Sequence, residues 1–378
     1  MKAQHRSTAI ILGAFLLSAS FLSLAAAGQE AKPEEKVQPK KGSIDLVLIP
    51  AVFYEPETKL AGGIGGLVTL RTLGQDPASR PSSAYFYAIY TQLGQFQAQI
   101  VPAFYFKNEA YLLNGTLTIE RYPNKFWGFG ASTPDNAVQN YTPRTFSLEV
   151  SFQKRIWAKE RLYVGLQYQL ENQKILQSDS VGSIAQGLIP GARGGTVSGL
   201  GFILNWDSRN NIFSPSHGYY CQVSTYFNGK IFGSDYTFNS VKVDLRTYRP
   251  GFAPTHVLAL QAIYQSVVGP VSPFYRYAKL GGDSLMRGYY GGRYRDKYFM
   301  AFQAEYRFPV WWRFGMVTFA GLGDVAKDLK HINFDEFKYS AGAGLRFKIS
   351  PKEGANLRAD FAFGQGSFGF YFTANEAF

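Results

Sequence analysis

The residues with the clearest chemical potential are a serine, an aspartate and a histidine. Residues 282–285 read Gly-Asp-Ser-Leu, and residues 328–331 read Asp-Leu-Lys-His. A serine nucleophile needs a histidine base and an orienting carboxylate within hydrogen-bond reach, and a Gly-Asp-Ser-Leu block supplies that nucleophile on an α/β scaffold. No α/β alternation surrounds either segment. Gly281 and Gly282 are therefore read as turn residues, and Asp283 and Ser284 as local hydrogen-bonding groups. The four histidines, His5, His217, His256 and His331, are scattered and give no metal-ligand spacing. One cysteine, Cys221, excludes an intramolecular disulfide and a paired-cysteine zinc site. The expectation is a protein that is not an enzyme, with no catalytic residue, metal or cofactor. The remaining polar candidates are charges: Asp207 with Arg209, and Lys242, Asp244, Arg246, Arg307, Arg346 and Arg358.

These charges must be positioned by a chain of 378 residues that is 16% aromatic and only 17% charged. Soluble domains carry about a quarter charged residues, so part of the surface is expected not to face water. The formal net charge is +12, but Lys and Arg form no clustered stripe, and nucleic acid is excluded as a partner. Residues 1–27 read as a signal peptide. Lys2 and Arg6 precede a nearly continuous apolar run over residues 9–24, and Ala25, Ala26 and Ala27 offer a cleavage site. That run is shorter than the roughly 20 residues of a spanning helix. Residues 28–43 are mostly Lys, Glu, Pro and Gln and are expected to be a flexible periplasmic linker. A single barrel domain is expected over residues 44–378.

Beyond the linker, period-2 alternation dominates. Leu162, Val164, Leu166, Tyr168 and Leu170 alternate with Arg161, Tyr163, Gly165, Gln167 and Gln169. Phe302, Ala304, Tyr306 and Phe308 alternate with Gln303, Glu305 and Arg307. The strands run to about ten residues or more, as bilayer-crossing strands do, whereas globular strands average about five or six. Phe126 with Trp127, and Trp311 with Trp312, read as interfacial girdles at strand ends. In hydrocarbon every backbone polar group must be paired, so such a sheet closes on itself. The fold expected is an all-β, transmembrane antiparallel β-barrel of about sixteen strands, the first centred near Ile49 and the last near Phe370. Short connections at residues 107–109 and 309–313 are then periplasmic. Long ones at residues 122–140, 172–194, 269–293 and 323–338 lie outside. The turn at residues 207–217 is a longer periplasmic exception.

Three segments resemble the bacterial surface antigen family, the BamA/TamA-like barrels of the outer membrane. Residues 205–218, Asn-Trp-Asp-Ser-Arg-Asn-Asn-Ile-Phe-Ser-Pro-Ser-His-Gly, look like the family's turn motif, with Asp207, Arg209, Phe213, Pro215 and Gly218 at its fixed positions. Residues 281–289, Gly-Gly-Asp-Ser-Leu-Met-Arg-Gly-Tyr, resemble the Gly-Gly and Leu-Arg-Gly-Tyr signature of the family's long sixth outer loop. The third segment runs from Glu305-Tyr-Arg-Phe-Pro through Ala343-Gly-Leu-Arg-Phe to the ending Glu376-Ala-Phe378. Phe368, Phe370, Phe372 and Phe378 share one parity. Of these, Phe370, Phe372 and Phe378 resemble the C-terminal insertion signal through which the barrel assembly machinery recognises such chains, with the terminal aromatic on the lipid face.

The resemblance implies that the sixth loop folds back into the lumen and is locked there by Gly281, Gly282, Arg287, Gly288, Tyr289 and Glu305. Arg287 takes the role of the family's loop arginine, and Glu305 that of its partner on the following strand. The family's second carboxylate, in a Phe-x-Asp-x-Gly motif, is missing: Gly321 stands in its place, and Met286 replaces a more usual apolar residue. Glu305 alone is then the partner, with Asp360 or Asp244 as the other candidates. The POTRA domains of family members that insert proteins are not expected in the 28–43 linker. The resemblance implies an outer-membrane protein of a Gram-negative bacterium that assembles, inserts or translocates proteins through a lateral seam. Its partners would be membrane lipids and a client outer-membrane or secreted protein. The alternative is a passive pore or structural barrel.

Overall fold

The computed structural model describes residues 42–55, 59–71, 79–350 and 354–378. The expected signal peptide and all but the last two residues of the linker lie outside the described residues. The alternation in the sequence becomes sixteen long strands. The first eight are β1 Ser43–Glu55, β2 Lys59–Arg71, β3 Ser82–Thr91, β4 Phe96–Phe106, β5 Tyr111–Arg121, β6 Gln139–Trp157, β7 Leu162–Ser178 and β8 Gly194–Asp207. The second eight are β9 Gly218–Asn228, β10 Thr237–Pro250, β11 Val257–Val271, β12 Tyr298–Trp311, β13 Phe314–Ala326, β14 Lys338–Ser350, β15 Ala355–Gly364 and β16 Ser367–Ala374. Each long strand pairs antiparallel with the next, from β1 with β2 to β15 with β16. Among the described residues no ladder pairs β1 with β16. All-β architecture with sixteen antiparallel strands is thus what the periodicity called for.

The two faces carry opposite chemistry. On β7, Val164 and Leu166 are exposed, while Tyr163, Gln167 and Gln169 are buried. On β12, Phe302 is exposed, while Gln303, Glu305 and Arg307 are buried. An apolar outside around a polar inside inverts the soluble pattern. It is stable only where the outside meets lipid, since each large apolar side chain left in water forgoes roughly 1.5–3 kcal/mol.

One end of the barrel carries short turns and the other long loops, with two departures from the expected boundaries. The loop expected over residues 172–194 begins later, because β7 keeps pairing with β6 as far as Tyr141 with Ser178. Phe126 is not part of an interfacial girdle. The short strand Asn124–Phe126 folds back on the start of β6 and turns Phe126 into the lumen. Trp311 and Trp312 do sit exposed at the short-turn end.

Candidate functional site

The connection between β11 and β12 enters the lumen from the long-loop end. Its own short strands, Ala278–Leu280 and Tyr294–Asp296, pair as a ribbon. Phe274 packs on Phe126 and Tyr141, with ring centroids 5.1 and 5.3 Å apart. Deeper in, Leu280, Met286 and Tyr289 pack with Phe299 and Val325. Gly281 and Gly282 have φ of +104° and +132° and make the turn the sequence called for. Gly288 has φ +105°, and a Cβ there would lie 2.6 Å from the Phe363 carbonyl carbon. Only glycine allows the loop backbone to lie against β15. The Tyr289 hydroxyl donates to the Tyr339 carbonyl (2.9 Å) and accepts from the Gln365 N–H (2.8 Å), and the Gly288 N–H donates to the Tyr371 hydroxyl (2.9 Å). The loop tip is therefore fastened to β14, the last hairpin and β16.

Arg287 lies within this pocket, 1% exposed, with its guanidinium 2.5 Å from both Glu305 and Asp360, each of them fully buried. Glu305 also pairs with Arg307 (2.8 Å), and Asp360 with Arg346 (2.5 Å). Glu376 then joins Arg346 (2.7 Å) to Arg307 (3.8 Å). The six residues form a closed ring of alternating charge: Arg287, Glu305, Arg307, Glu376, Arg346, Asp360. Every member has two opposite charges beside it, which offsets the cost of burial that an isolated pair would face. The Arg287 guanidinium also stacks 3.4 Å from the centroid of Phe319. Arg358 lies outside the ring, 3.8 Å from Asp360 and 3.5 Å from Asp283.

Asp360, not Asp244, supplies the second carboxylate, while Asp244 pairs with Arg246 and accepts from Gln261. The two departures from the family pattern meet in space. A Cβ on Gly321 would lie 3.1 Å from the Met286 sulfur and 3.2 Å from the Ser340 hydroxyl. Met286 occupies the space that a side chain at position 321 would need. Ser284 donates to Asp283 (3.0 Å) and its carbonyl accepts from Gln303 (2.9 Å), whereas Asp328 and His331 pair with each other in another loop. The serine block is a turn.

Phe378 corrects one expectation. Phe368, Phe370 and Phe372 face outward, but Phe378 is 4% exposed and packs in the lumen on Tyr248 and Ala259. Asn375, at φ +64°, ends β16 and turns the following residues inward. Arg307 donates to the Phe378 carbonyl (2.9 Å), and Glu376 accepts from Asn356 (2.7 Å). Parity counted along a strand fails once the strand has ended.

At the short-turn end, Asp207 accepts from Arg209 and Arg80, both at 2.8 Å. Burial opposes the Arg209 charge, but Asp207 more than offsets it and holds that guanidinium above its ordinary value. Asn211 accepts from the N–H groups of Phe213 and Ser214. Pro215 is buried, and Gly218, at φ +105°, re-enters the sheet where a Cβ would meet the Ser208 carbonyl at 2.4 Å. Arg80 also donates to the carbonyls of Asp207 and Arg209, and its N–H to Glu109 (2.7 Å), which accepts from Arg161 as well. The turn thus crosses the mouth, tied to the β2–β3 connection on one side and lying against Gly354 on the other. Arg80, Glu109 and Tyr371 were not singled out from the sequence, and Glu376 stood there only as part of the C-terminal segment. For Arg346 and Asp360 a signal existed, since both fall on the inward parity of neighbouring strands.

The sequence matches the Omp85 superfamily domain over residues 87–378. The fold is similar to that of BamA from Haemophilus ducreyi lacking POTRA domains 1–3, with a TM-score of 0.55 and 15% identity over 89% of this chain and 70% of that one. It is also similar to CdiB from Acinetobacter baumannii, with a TM-score of 0.55 and 11% identity over 89% of this chain and 66% of that one. No curated protein matches the sequence significantly. Barrels of this superfamily are not enzymes, in keeping with a serine block that only turns a loop. The sixteen-strand sheet and the extent of the domain match lead to one conclusion: the chain belongs to the Omp85 superfamily of outer-membrane barrels.

Proposed function

We propose that this barrel assembles or translocates client proteins at the outer membrane of a Gram-negative bacterium, through a lateral seam between β1 and β16. The carrying observation is that β1 pairs along β2 and β16 along β15, with no ladder between the two strands among the described residues. Free strand edges pair with an incoming strand. Gly364, Gly366 and Gly369 in the last hairpin lower its stability further. The loop lock at Gly281, Gly282, Arg287, Gly288, Tyr289 and Glu305 keeps the lumen filled while the seam works, and the ring ties that lock to the residues after β16. In this reading the short-turn end is periplasmic, and residues 1–27 export the chain. The barrel assembly machinery reads the outward Phe370 and Phe372 with Phe378.

The test places one cysteine in β1 (Ile44, Leu46 or Leu48) and one in β16 (Phe368, Phe370 or Phe372) of a Cys221→Ser chain. The barrel is reconstituted in vesicles with an unfolded eight-stranded outer-membrane barrel as client. Cross-linking the two strands should abolish accelerated client insertion, and reduction should restore it. Equal insertion with the seam cross-linked would sink the proposal. Single-channel recording decides against the pore alternative: wild type should stay closed and open when residues 272–297 are shortened, whereas steady wild-type conductance favours a pore.

A further inference from the structure

The outer wall carries a feature that client handling does not use. A groove of 710 Å³ runs along the lipid face across β8 to β13, within the roughly 300–1,000 Å³ of small-molecule sites. Its floor is made by small side chains, Cys221, Ala262, Ala304 and Ala320. Ala304, Ala320 and Ala341 lie directly opposite one another on three successive strands. Leu245, Phe302 and Leu322 stand exposed above this floor. Trp206 and Tyr219, their rings 6.0 Å apart, close the groove towards the short-turn end. There the exposed Arg249 sits 4.8 Å from the Tyr219 ring centroid and bonds to its hydroxyl. Among the described residues Arg249 has no carboxylate partner. Below it Phe252 is 99% exposed, and Trp311 and Trp312 complete an aromatic belt at the interface.

We propose that this groove holds one acyl chain of an anionic phospholipid, whose phosphate is paired with Arg249. The apolar channel runs among mid-strand residues, and a guanidinium held by the Tyr219 hydroxyl but by no carboxylate among the described residues lies at its short-turn end, an arrangement that fits a lipid and no wholly apolar occupant. That the lipid is a phospholipid and not a lipopolysaccharide rests on the periplasmic placement of the short-turn end proposed above.

Native mass spectrometry of the barrel, released from detergent containing phosphatidylglycerol or phosphatidylcholine, tests the site. One phosphatidylglycerol should be retained, with a preference of about fivefold over phosphatidylcholine for a single interfacial arginine. Arg249→Gln should remove the preference, and Ala304→Leu with Ala320→Leu should remove the retained lipid. Ala262→Leu alone replaces that pair if heat-modifiable migration shows it unfolded. No retained lipid in wild type, or equal retention in the filled variants, overturns the proposal. So does a lipid-free dimer, which would make a second copy the occupant. A detergent micelle has no sides and no client, so failure here speaks against the groove and leaves the insertion assay untouched.

Discussion

Two arginine–carboxylate locks hold the inside of the barrel, one in the turn across the short-turn mouth and one in the lumen around the inserted loop, and they are built differently. At the short-turn end one carboxylate, Asp207, holds two arginines, and one of these is two residues away in sequence. At the loop, three arginines and three carboxylates alternate in a ring drawn from the loop, three strands and the residues after β16. In the first lock both ion pairs run through Asp207. In the second, Glu305 and Asp360 each keep an arginine when Arg287 is lost. Redundancy, more than the strength of any pair, separates the two.

The comparison breaks most readily at Asp207. Asp207→Asn removes the buried carboxylate that Arg209 and Arg80 share and should destabilise the barrel by about 3–5 kcal/mol, the cost of breaking a buried pair, read as a lower urea midpoint. Asp360→Asn should come next, because it touches Arg287, Arg346 and Arg358 together. Arg287→Ala should cost less, about 2 kcal/mol, because each abandoned carboxylate keeps a partner, and Glu305→Gln less again. Urea unfolding of the four variants side by side checks that order, and Arg287→Ala equal to Asp207→Asn would erase the distinction between the locks. Arg287→Lys sharpens it: one ammonium cannot span two carboxylates as a guanidinium fork does, so protease protection of the loop should fall although the charge is kept.

The smallest effect concerns Lys279, whose side chain reaches lumen water inside the loop ribbon. Confinement in the barrel, with Arg295 beside it, pushes its ammonium down to about 8 from 10.5. A released loop binds that proton more tightly than a docked one, so docking should strengthen as pH rises from about 8 to 10.5. Protection of residues 272–297 against a small protease should rise over that window in wild type and not in Lys279→Met, each compared with an unstructured substrate cleaved at the same pH.

Strand number, facing and the turn motif were legible because they are local. Alternation assigns Glu305 inward, and the spacing of Asp207 to Gly218 describes a turn that bonds to itself. The ring was legible only in part. Arg287 and Glu305 came from a resemblance, and Asp360 was one of two candidates, because choosing it requires knowing which strands face each other across the lumen. The inward placement of Glu376 and Phe378 was out of reach: strand parity ends with the strand, and Asn375 redirects the chain. Arg80 was hidden for a similar reason, since its partner lies 127 residues away.

Met286 and Gly321 have an evolutionary consequence. With the Met286 sulfur 3.1 Å from where a Cβ would stand, an aspartate at position 321 must push the methionine aside. Shortening residue 286 first would leave a cavity beside Gly321. Either single step passes through a less stable barrel, so the two sites should change as a pair across related sequences, with Asp360 free to vary only where the aspartate is present.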